Sequence, residues 1–404
     1  MRILFLSSWY PYPTNNGSKI RIFNLLRGLA QQHDISLISF SDDAHSLPPA
    51  PLVEVCQHIH VLKAPIYHPA RAKAMLGFFS SQPRYLADMY SAEMDALIRA
   101  EVKRGCDLVI ASQWGMAAYH AAFQHCPAIF EEAELGSFES KRAGATTRMA
   151  RLRHTLPLLK LRSYSQHVLQ YFRACTVVSS IEAERVRSMA PRFEAIQTIP
   201  NGVDLESYTA VAERASAAPR ETNTLIFTGS FRYDANHDAM QWFVGEVMPR
   251  VRAAMPEVHL TITGDHAGLP LPSTQNVTLT GYVDDPRGLL ARSAISIAPL
   301  RMGGGTRLKI LEAMAVRTPV VATSKGAEGL DARDGEHLLI ADTPEEQAQA
   351  IFRLLRDDDL RNRLTTNAHD LVRTTYDWRI ILPQFLSLVE QVHSMPHSAS
   401  WAQP

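Results

Sequence analysis

Short apolar runs alternate with helical patterns along nearly the whole chain, and this alternation restricts the fold more than any other feature of the sequence. In the first half the runs lie at 3–6, 35–40, 59–62, 108–111, 128–130 and 176–178. A helical pattern near 20–32 separates the first two of them. Such alternation favours parallel strands joined by crossover helices, and therefore an α/β fold.

A second alternating set follows a break. Its runs lie at 225–227, 258–262, 277–279, 295–298, 320–322 and 338–340. The residues before it lack strand character and are rich in alanine, proline and charge, which is typical of a linker. A chain of 404 residues also exceeds the size at which a single core stops growing. We therefore predict a doubly wound, Rossmann-like domain at 1–205, a linker at 206–223 and a second such domain at 224–378.

The composition disfavours several classes of function. Lys+Arg and Asp+Glu are balanced at 41 each, so no overall field favours nucleic acid as a partner. The four cysteines have no zinc-ligand spacing and cannot make the disulfide framework of a small secreted fold, which favours free thiols in a reducing compartment. The apolar start at 3–6 is too short for a signal peptide, and no run approaches 18 apolar residues. We expect a cytoplasmic protein.

The most informative segment is PLRMGGGTRLKILEAMA at 299–315, which is predicted to form a glycine-rich loop and a helix after a strand. Gly303, Gly304 and Gly305 would let backbone N–H groups approach an anion, and the helix adds its positive dipole end. Arg307 and Lys309 oppose that dipole at a cost of about 0.3–1 kcal/mol each, which a bound anion would recover. A diphosphate suits both the arginine fork and the lysine charge.

A carboxylate follows on the same predicted helix. Glu312 lies about one and a half turns beyond Arg307, too far along the helix to compete for a diphosphate. It can accept two hydrogen bonds from vicinal hydroxyls such as those of a ribose. The alternative is a surface glutamate on an amphipathic helix.

The segment GGGTRLKILEAMAVRTPVVAT at 303–323 resembles the donor-site signature of the retaining family-4 glycosyltransferases, which have the GT-B fold. Further segments resemble blocks of the same family in the expected order. They are IPNGVDL at 199–205, TGSFRYDANH at 228–237, ITGD at 262–265, TGYVDD at 280–285 and YDW at 376–378. The resemblance therefore covers nearly the whole chain.

This resemblance implies two Rossmann-like domains facing each other across a cleft, a helix at 379–395 that packs back on the first domain, and a flexible tail at 396–404. It implies retaining transfer from a nucleotide-sugar donor of the UDP or GDP type, with no metal and no other cofactor. Arg307, Lys309 and Glu312 match the catalytic positions. The residues expected to contact the donor are Gly17, Gly229, Ser230, Arg232, Tyr282, Gly303, Gly304, Gly305 and Thr306.

Three positions depart from the family pattern. Gly304 stands where a second glutamate usually contacts the donor sugar, and Ser230 and Asn236 stand where an arginine and a lysine are usual. We expect Arg232, together with the two cations after the glycine-rich loop, to supply the missing positive charge.

Clustered carboxylates are the candidates for the acceptor site. Glu131, Glu132 and Glu134 follow the run at 128–130, so they are expected at the carboxyl end of a strand, where they could bind acceptor hydroxyls or act as a base. Gln113 aligns near a position where the family often has a histidine and is a further candidate. The alternative is a solvated acidic loop.

A basic stretch at 141–173 holds eight Lys/Arg and no Asp/Glu, interleaved with apolar residues. This pattern predicts peripheral contact with the inner face of a membrane. The alternative is a solvated helical pair with one apolar face in the core.

Together these features predict a glycosyltransferase acting on a saccharide or lipid-linked acceptor in cell-surface polysaccharide or glycolipid biosynthesis. One alternative is a GT-B-type nucleotide-sugar epimerase, which needs no acceptor. Another is a catalytically weak sugar-nucleotide-binding or scaffold protein, which Gly304 motivates. A nicotinamide-dependent enzyme is disfavoured because 1–30 contains only Gly17 and Gly28 and cannot form GxGxxG.

Overall fold

The computed structural model describes residues 1–43, 47–77, 79–136, 148–215, 221–272, 274–305 and 307–396, with the backbone alone at 148–154 and 156. The chain forms two compact units. The first comprises Met1–Pro200 and the residues from Leu382 onward, and the second comprises Asn201–Ile381.

A seven-stranded parallel sheet is the centre of the first unit. Its strands are β1 (Arg2–Ser7), β2 (Asp34–Ser41), β3 (His58–Lys63), β4 (Leu108–Ser112), β5 (Ala128–Glu131), β6 (Ala174–Val177) and β7 (Ile196–Thr198). Their order is β3-β2-β1-β4-β5-β6-β7, so the direction of winding reverses between β1 and β4. Helices cover both faces, and β4 is accordingly buried along its whole length.

The helices of the first unit connect these strands. In the described part of the chain they are Gly17–Leu29, Ala50–Val53, Ala72–Leu76, Arg84–Met89, Ala92–Arg104, Gln113–Ala117, Arg148–Leu169 and Ser180–Met189, with a 3₁₀ turn at His120–Ala122. The first begins where the Asn16 side chain accepts a hydrogen bond from the backbone N–H of Lys19 at 3.0 Å. Asparagine in this capping position satisfies an N–H group that has no partner within the helix.

A six-stranded parallel sheet is the centre of the second unit. Its strands are β8 (Thr224–Thr228), β9 (His259–Thr263), β10 (Val277–Gly281), β11 (Ile295–Ala298), β12 (Val320–Ala322) and β13 (Leu339–Ile340). Their order is β10-β9-β8-β11-β12-β13, with the reversal between β8 and β11. The two sheets confirm the predicted α/β class with two doubly wound, Rossmann-like domains.

The helices of the second unit flank this sheet. The described ones are Leu205–Ala215, Asp234–Trp242, Met248–Ala254, Arg287–Arg292, Leu308–Ala315, Ser324–Ala327, Pro344–Arg356 and Asp358–Leu371, with π-helical segments at Phe243–Val247 and Val372–Tyr376. Pro344–Arg356 begins with a complete capping box between Thr343 and Glu346.

The predicted linker at 206–223 is wrong for its first half. Leu205–Ala215 is a helix of the second unit, and Leu205 and Val211 are buried. Asp204 accepts a hydrogen bond from the backbone N–H of Ser207 at 3.2 Å, as an N-cap residue does. The alanine and charge that suggested a linker form the exposed face of an amphipathic helix.

The last described helix, Trp378–Ser394, begins in the second unit, and its residues from Leu382 onward belong to the first. Leu382 packs so closely on Gly28 that a Cβ there would lie 2.6 Å from the leucine Cδ2. Arg173 donates hydrogen bonds to the carbonyl oxygens of Val392 and Met395. Of the tail predicted at 396–404, residues 397–404 lie outside the described part of the chain.

Candidate functional site

The glycine-rich loop of the second unit leaves the carboxyl end of β11, beside the strand-order reversal where doubly wound sheets bind ligands. Gly303 and Gly305 have φ values of 98° and 77°, a region that favours glycine. The helix Leu308–Ala315 follows directly. The loop is therefore built from backbone that residues with a Cβ rarely adopt. Thr306, a predicted donor contact, lies outside the described residues.

Arg307 holds this loop in shape. Its side chain is 4% exposed, and its guanidinium donates to the carbonyl oxygens of Gly304 at 2.9 Å, Gly303 at 3.0 Å and Lys325 at 3.1 Å. Its buried Nε has no hydrogen-bond partner within the described protein. The sequence predicted an arginine free to grip a phosphate, whereas most of its donors are committed to backbone.

Lys309 is a second cation at the N-terminal end of the helix Leu308–Ala315. Its ammonium donates to Asn236 Oδ1 at 2.9 Å and lies 3.8 Å from the centre of the Phe227 ring. Burial lowers the pKa of Lys309 to about 7, and the positive charge of Arg307 acts in the same direction. Asn236, which stands where the family usually has a lysine, thus holds the lysine of the helix that follows the loop.

The first loop of the second unit lies close to Lys309. Gly229 follows β8, and a Cβ there would lie 2.7 Å from Asn236 Nδ2 and 3.0 Å from Lys309 Nζ. The next residue, Ser230, is half-buried, and its carbonyl oxygen accepts a hydrogen bond from Asn236 at 2.8 Å. Gly229, Ser230 and Lys309 are therefore neighbours.

Two other predicted donor contacts have exposed side chains. The side chain of Arg232 is 77% exposed and forms an ion pair with Asp265. Tyr282 is 64% exposed and follows β10, the edge strand two positions from β8. Gly17 belongs to the first unit, where it is the first residue of the helix Gly17–Leu29.

Glu312 faces a tyrosine and an arginine that sequence reasoning missed. Its carboxylate accepts a hydrogen bond from the Tyr208 hydroxyl at 3.0 Å, and the guanidinium of Arg287 lies 5.5 Å from the centre of the Tyr208 ring. Burial raises the pKa of Glu312, and the hydrogen bond from Tyr208 opposes this rise. Tyr208 escaped notice because it lies in the helix that was predicted to be a linker.

Glu131 in the first unit is a structural residue, which corrects its predicted acceptor role. It is fully buried, with Oε1 accepting from Arg21 Nε at 2.5 Å and Oε2 accepting from Ser112 Oγ at 2.6 Å. Arg21 also donates to the carbonyl oxygens of Ile199 and Pro200, at 2.8 Å and 3.2 Å. Both carboxylate oxygens are thus engaged inside the protein.

Gln113 and Glu132 form a pair at the carboxyl ends of β4 and β5. Each is the first residue after its strand, with φ values of 71° and 58°. Gln113 Nε2 donates to Glu132 Oε2 at 3.0 Å. Burial, and then the negative charge of Glu131, raises the pKa of Glu132 to about 8. Left-handed backbone at residues other than glycine costs energy and is concentrated at functional sites.

A cavity of about 1010 Å³ opens beside this pair, and the described residues that line it all belong to the first unit. Three of the four predicted acceptor residues line it, namely Gln113, Glu132 and Glu134. Eight of the lining residues are aromatic. They are Trp9, Tyr10, Tyr12, Phe40, Tyr85, Tyr90, Trp114 and Tyr119. A cavity of this size with a few polar groups is a typical small-molecule site.

Two further properties bear on ligands. Within the described ranges, no three His, Cys, Asp or Glu side chains are grouped in a way that could hold a metal ion. In the same ranges no helix has the length and apolar content needed to cross a bilayer.

The basic stretch at 141–173 is partly outside the description, at 141–147, and side chains are not described at 148–154 and 156. Much of its apolar content faces the protein core. Leu161, Val168, Leu169 and Phe172 are buried. Leu159 is 59% exposed, and Lys160 donates to the carbonyl oxygen of Gly77 at 2.6 Å. Only part of the predicted amphipathic face is therefore on the surface.

Comparison with known proteins relates this architecture to an enzyme family. The family model described as Glycosyltransferase Family 4 matches residues 15–207, and that described as Glycosyl transferases group 1 matches residues 222–357. A phosphatidyl-myo-inositol mannosyltransferase from Mycobacterium tuberculosis (strain CDC 1551 / Oshkosh) is 33% identical over 223 residues, which cover 52% of this chain and 57% of that protein. The match thus spans little more than half the length of that relative.

Solved structures agree on the fold. Sucrose-phosphate synthase from Thermosynechococcus elongatus has a TM-score of 0.71 at 17% identity, covering 97% of this chain and 99% of that one. Anabaena HepE, solved in complex with UDP and glucose, has a TM-score of 0.63 at 14% identity, covering 96% and 99%. With both halves matched by family models, this chain belongs to the group-1, family-4 glycosyltransferases of GT-B fold.

Proposed function

We propose that this protein transfers a sugar from a nucleotide-sugar donor to an acceptor hydroxyl, with retention of anomeric configuration and without a metal ion. The observation that carries the proposal is the half-buried ammonium of Lys309, held by Asn236 at the mouth of a helix beside a glycine-rich loop. A cation kept there in a poorly solvated position is unfavourable unless an anion binds.

The diphosphate of the donor is that anion. Backbone N–H groups of the loop and the Lys309 ammonium would stabilise the negative charge that develops on the leaving diphosphate, which is often the largest contribution to catalysis. Arg307 would contribute by fixing the loop through its three carbonyl contacts and by its positive charge. Glu312, held by Tyr208, would accept hydrogen bonds from the ribose hydroxyls.

The donor is proposed to carry UDP or GDP. HepE, a structural neighbour, was solved with UDP, and the sequence relative is named a mannosyltransferase. The acceptor is proposed to be a saccharide or lipid-linked molecule in glycolipid or polysaccharide assembly, because that relative is named a phosphatidyl-myo-inositol mannosyltransferase. The first unit, which carries the aromatic cavity, is proposed to bind it.

A peripheral contact with the cytoplasmic face of a membrane would bring a lipid-linked acceptor to the protein. The surface proposed for this contact combines Leu76, Phe79 and Leu159, which are 68%, 93% and 59% exposed. Lys160 joins the helix that carries Leu159 to the loop after Leu76, through its hydrogen bond to Gly77. Exposed apolar residues beside lysine and arginine are typical of membrane-surface binding.

Nucleotide binding by the full chain tests this function. Isothermal titration with UDP and with GDP is compared among wild type, Lys309→Met, Glu312→Gln and the control Lys103→Met, which changes an exposed lysine of the first unit. We expect one of the two nucleotides to bind wild type and the control with equal affinity. Its affinity for Lys309→Met should be at least tenfold lower, since a hydrogen-bonded charge is lost. Equal affinity for Lys309→Met would refute the donor site.

An alternative function rests on Gly304, where no side chain is present to contact the donor sugar. A protein that binds UDP or GDP tightly and yet transfers or hydrolyses no nucleotide sugar would be a sugar-nucleotide-binding protein. Release of free nucleotide from a panel of UDP- and GDP-sugars, with and without candidate acceptors, separates the two functions.

A further inference from the structure

The aromatic cavity of the first unit has a chemistry that indicates the charge of its occupant. Among the described residues that line it, four are acidic and one, Lys19, is basic. The acidic ones are Asp42, Asp43, Glu132 and Glu134. Burial lowers the pKa of Lys19, and the nearby charge of Asp42 opposes this effect. Because Glu132 is largely protonated at pH 7, a phosphate placed here would meet the charges of three carboxylates and one lysine among the described lining residues, which is an excess of negative charge.

The walls of the cavity present flat apolar faces. Trp9 is 47% exposed and Tyr90 is 38% exposed, so both offer ring surface to a ligand. Tyr90 is fixed in place because it stacks on Tyr119 with 4.9 Å between ring centres. Rings held in this way bind the C–H face of a ligand with little loss of side-chain entropy.

Among the acidic groups that line the cavity, the carboxyl group of Glu132 is held in position by a hydrogen bond. Glu132 Oε2 accepts the amide of Gln113, while Oε1 has no hydrogen-bond partner among the described protein atoms. Since the pKa of Glu132 is raised to about 8, this carboxyl is largely protonated at pH 7. A protonated carboxyl both donates and accepts hydrogen bonds, which complements a hydroxyl group and does not require a positive partner.

We propose that this cavity binds an uncharged, hydroxylated acceptor group with an apolar face, of the kind that a neutral sugar ring presents, and that Glu132 hydrogen-bonds one of its hydroxyls. The identification of the occupant as an acceptor rests on the proposed function. The proposal excludes a phosphorylated head group from this cavity and thereby narrows the acceptor from a saccharide or lipid-linked molecule to one whose bound part carries no phosphate.

Two matched sets of probes test the proposal on the full chain at about pH 7. The glycosides are phenyl β-D-glucopyranoside, phenyl β-D-galactopyranoside and phenyl α-D-mannopyranoside, and the anionic counterpart is phenyl phosphate. All four probes carry a phenyl ring and differ in the polar group attached to it. Binding is measured by saturation-transfer difference NMR titration, and at least one glycoside is expected to bind at least tenfold more tightly than phenyl phosphate.

Variants locate the binding. Glu132→Ala removes the carboxyl and Trp9→Ala removes an exposed ring, and each is expected to weaken glycoside binding about tenfold. Glu132→Gln, which keeps a donor and an acceptor, is expected to retain it. Tyr67→Ala is the control, because Tyr67 is an exposed aromatic of the same unit that does not line the cavity. Because Trp9 is a surface residue, we expect Trp9→Ala to fold. It therefore tests the proposal even if Glu132→Ala fails to fold.

Several outcomes would overturn the proposal. Phenyl phosphate binding as tightly as every glycoside, no binding by any glycoside, or glycoside binding unchanged in both Glu132→Ala and Trp9→Ala each contradict it. Parallel titration with UDP and GDP separates this failure from that of the proposed function. Nucleotide binding without glycoside binding refutes the cavity proposal alone, whereas glycoside binding without nucleotide binding refutes the donor site alone.

Discussion

Lys309 Nζ donates a hydrogen bond of 2.9 Å to Asn236 Oδ1 across 73 positions of the sequence, from the helix after the glycine-rich loop to the helix after β8. The same ammonium lies over the Phe227 ring at 3.8 Å. This environment stabilises the lysine in position but solvates its charge poorly, and the pKa of Lys309 is therefore lowered to about 7. A bound diphosphate would favour the charged form.

Nucleotide affinity should therefore fall as pH rises through about 7. Above that value the free protein has lost the Lys309 proton that binding must restore, so the dissociation constant increases by up to about tenfold per pH unit. Isothermal titration with the nucleotide that binds, from about pH 6 to about pH 9, measures this slope. Lys309→Arg is the control, because arginine stays charged while the terminal phosphate of the nucleotide titrates as before. An equally steep fall in that variant would contradict the assignment to Lys309.

Loss of Arg307 should destabilise the second unit and abolish nucleotide binding. Arg307→Met keeps the apolar stem but leaves three carbonyl oxygens without their donor, at a cost of about 3 kcal/mol in the free energy of unfolding. Urea unfolding followed by circular dichroism measures this cost. Arg333→Met is the matched control, since its side chain is 74% exposed, and it should change stability by less than about 0.5 kcal/mol. A neutral Arg307→Met would show that the loop holds its shape unaided.

Two neighbouring glutamates should respond in opposite ways to the same substitution. Glu131→Gln leaves the buried Arg21 guanidinium without its counter-ion and should cost about 3 kcal/mol or more of folding stability. Glu132→Gln should leave stability at pH 7 unchanged or raise it, because the folded wild type holds a proton there that its unfolded chain has lost, and glutamine can keep the contact with Gln113 without that proton. Chemical unfolding of both variants at one pH measures the difference. Equal losses would mean that Glu131 is not the structural partner of Arg21.

Vesicle binding should depend on the exposed apolar residues near Gly77. The double variant Leu76→Ser, Phe79→Ser removes two of the most exposed large apolar side chains and should lower co-sedimentation with phosphatidylglycerol vesicles at least tenfold. Phosphatidylcholine vesicles should bind wild type more weakly, because they lack the negative charge that attracts lysine and arginine. Leu269→Ser, at an exposed leucine of the second unit, is the control. Unchanged sedimentation of the double variant would refute membrane contact by this surface.

Apolar periodicity was sufficient to predict most strands, because parallel strands covered on both faces are continuous apolar runs. β7 was missed since Ile196–Thr198 is a short edge strand that is only partly buried. The helix Leu205–Ala215 was missed because its exposed face has the composition of a linker. In both cases incomplete burial weakened the apolar signal in the sequence.

The candidate sites were predictable where one segment carries them and not where distant segments meet. Gly303, Gly305 and Arg307 lie within five residues, so the loop was visible in the sequence. The pairing of Glu131 with Arg21 spans 110 positions, and nothing local distinguishes Glu131 from Glu132. The same holds for Tyr208 and Glu312, which are 104 positions apart. Partner identity is a property of the fold, so the chemical role of each glutamate followed only from the structure.

The raised pKa of Glu132 predicts a pH dependence of folding stability. Its pKa is about 8 in the folded protein and about 4.5 in the unfolded chain. Between these values the folded protein holds a proton that the unfolded chain has lost, so stability falls as pH rises from about 4.5 to about 8. The contribution of this one group reaches at most about 1.4 kcal/mol per pH unit.

Glu132→Gln removes this titrating group. As pH rises across this range, the unfolding free energy of wild type should therefore fall relative to that of the variant. Urea midpoints at several pH values measure the shift, and Glu134→Gln, which changes a less buried carboxyl of the same cavity, serves as the comparison. Parallel stability curves for wild type and Glu132→Gln would show that Glu132 is ionised in the folded protein, and the neutral hydrogen-bonding role assigned to it would then be lost.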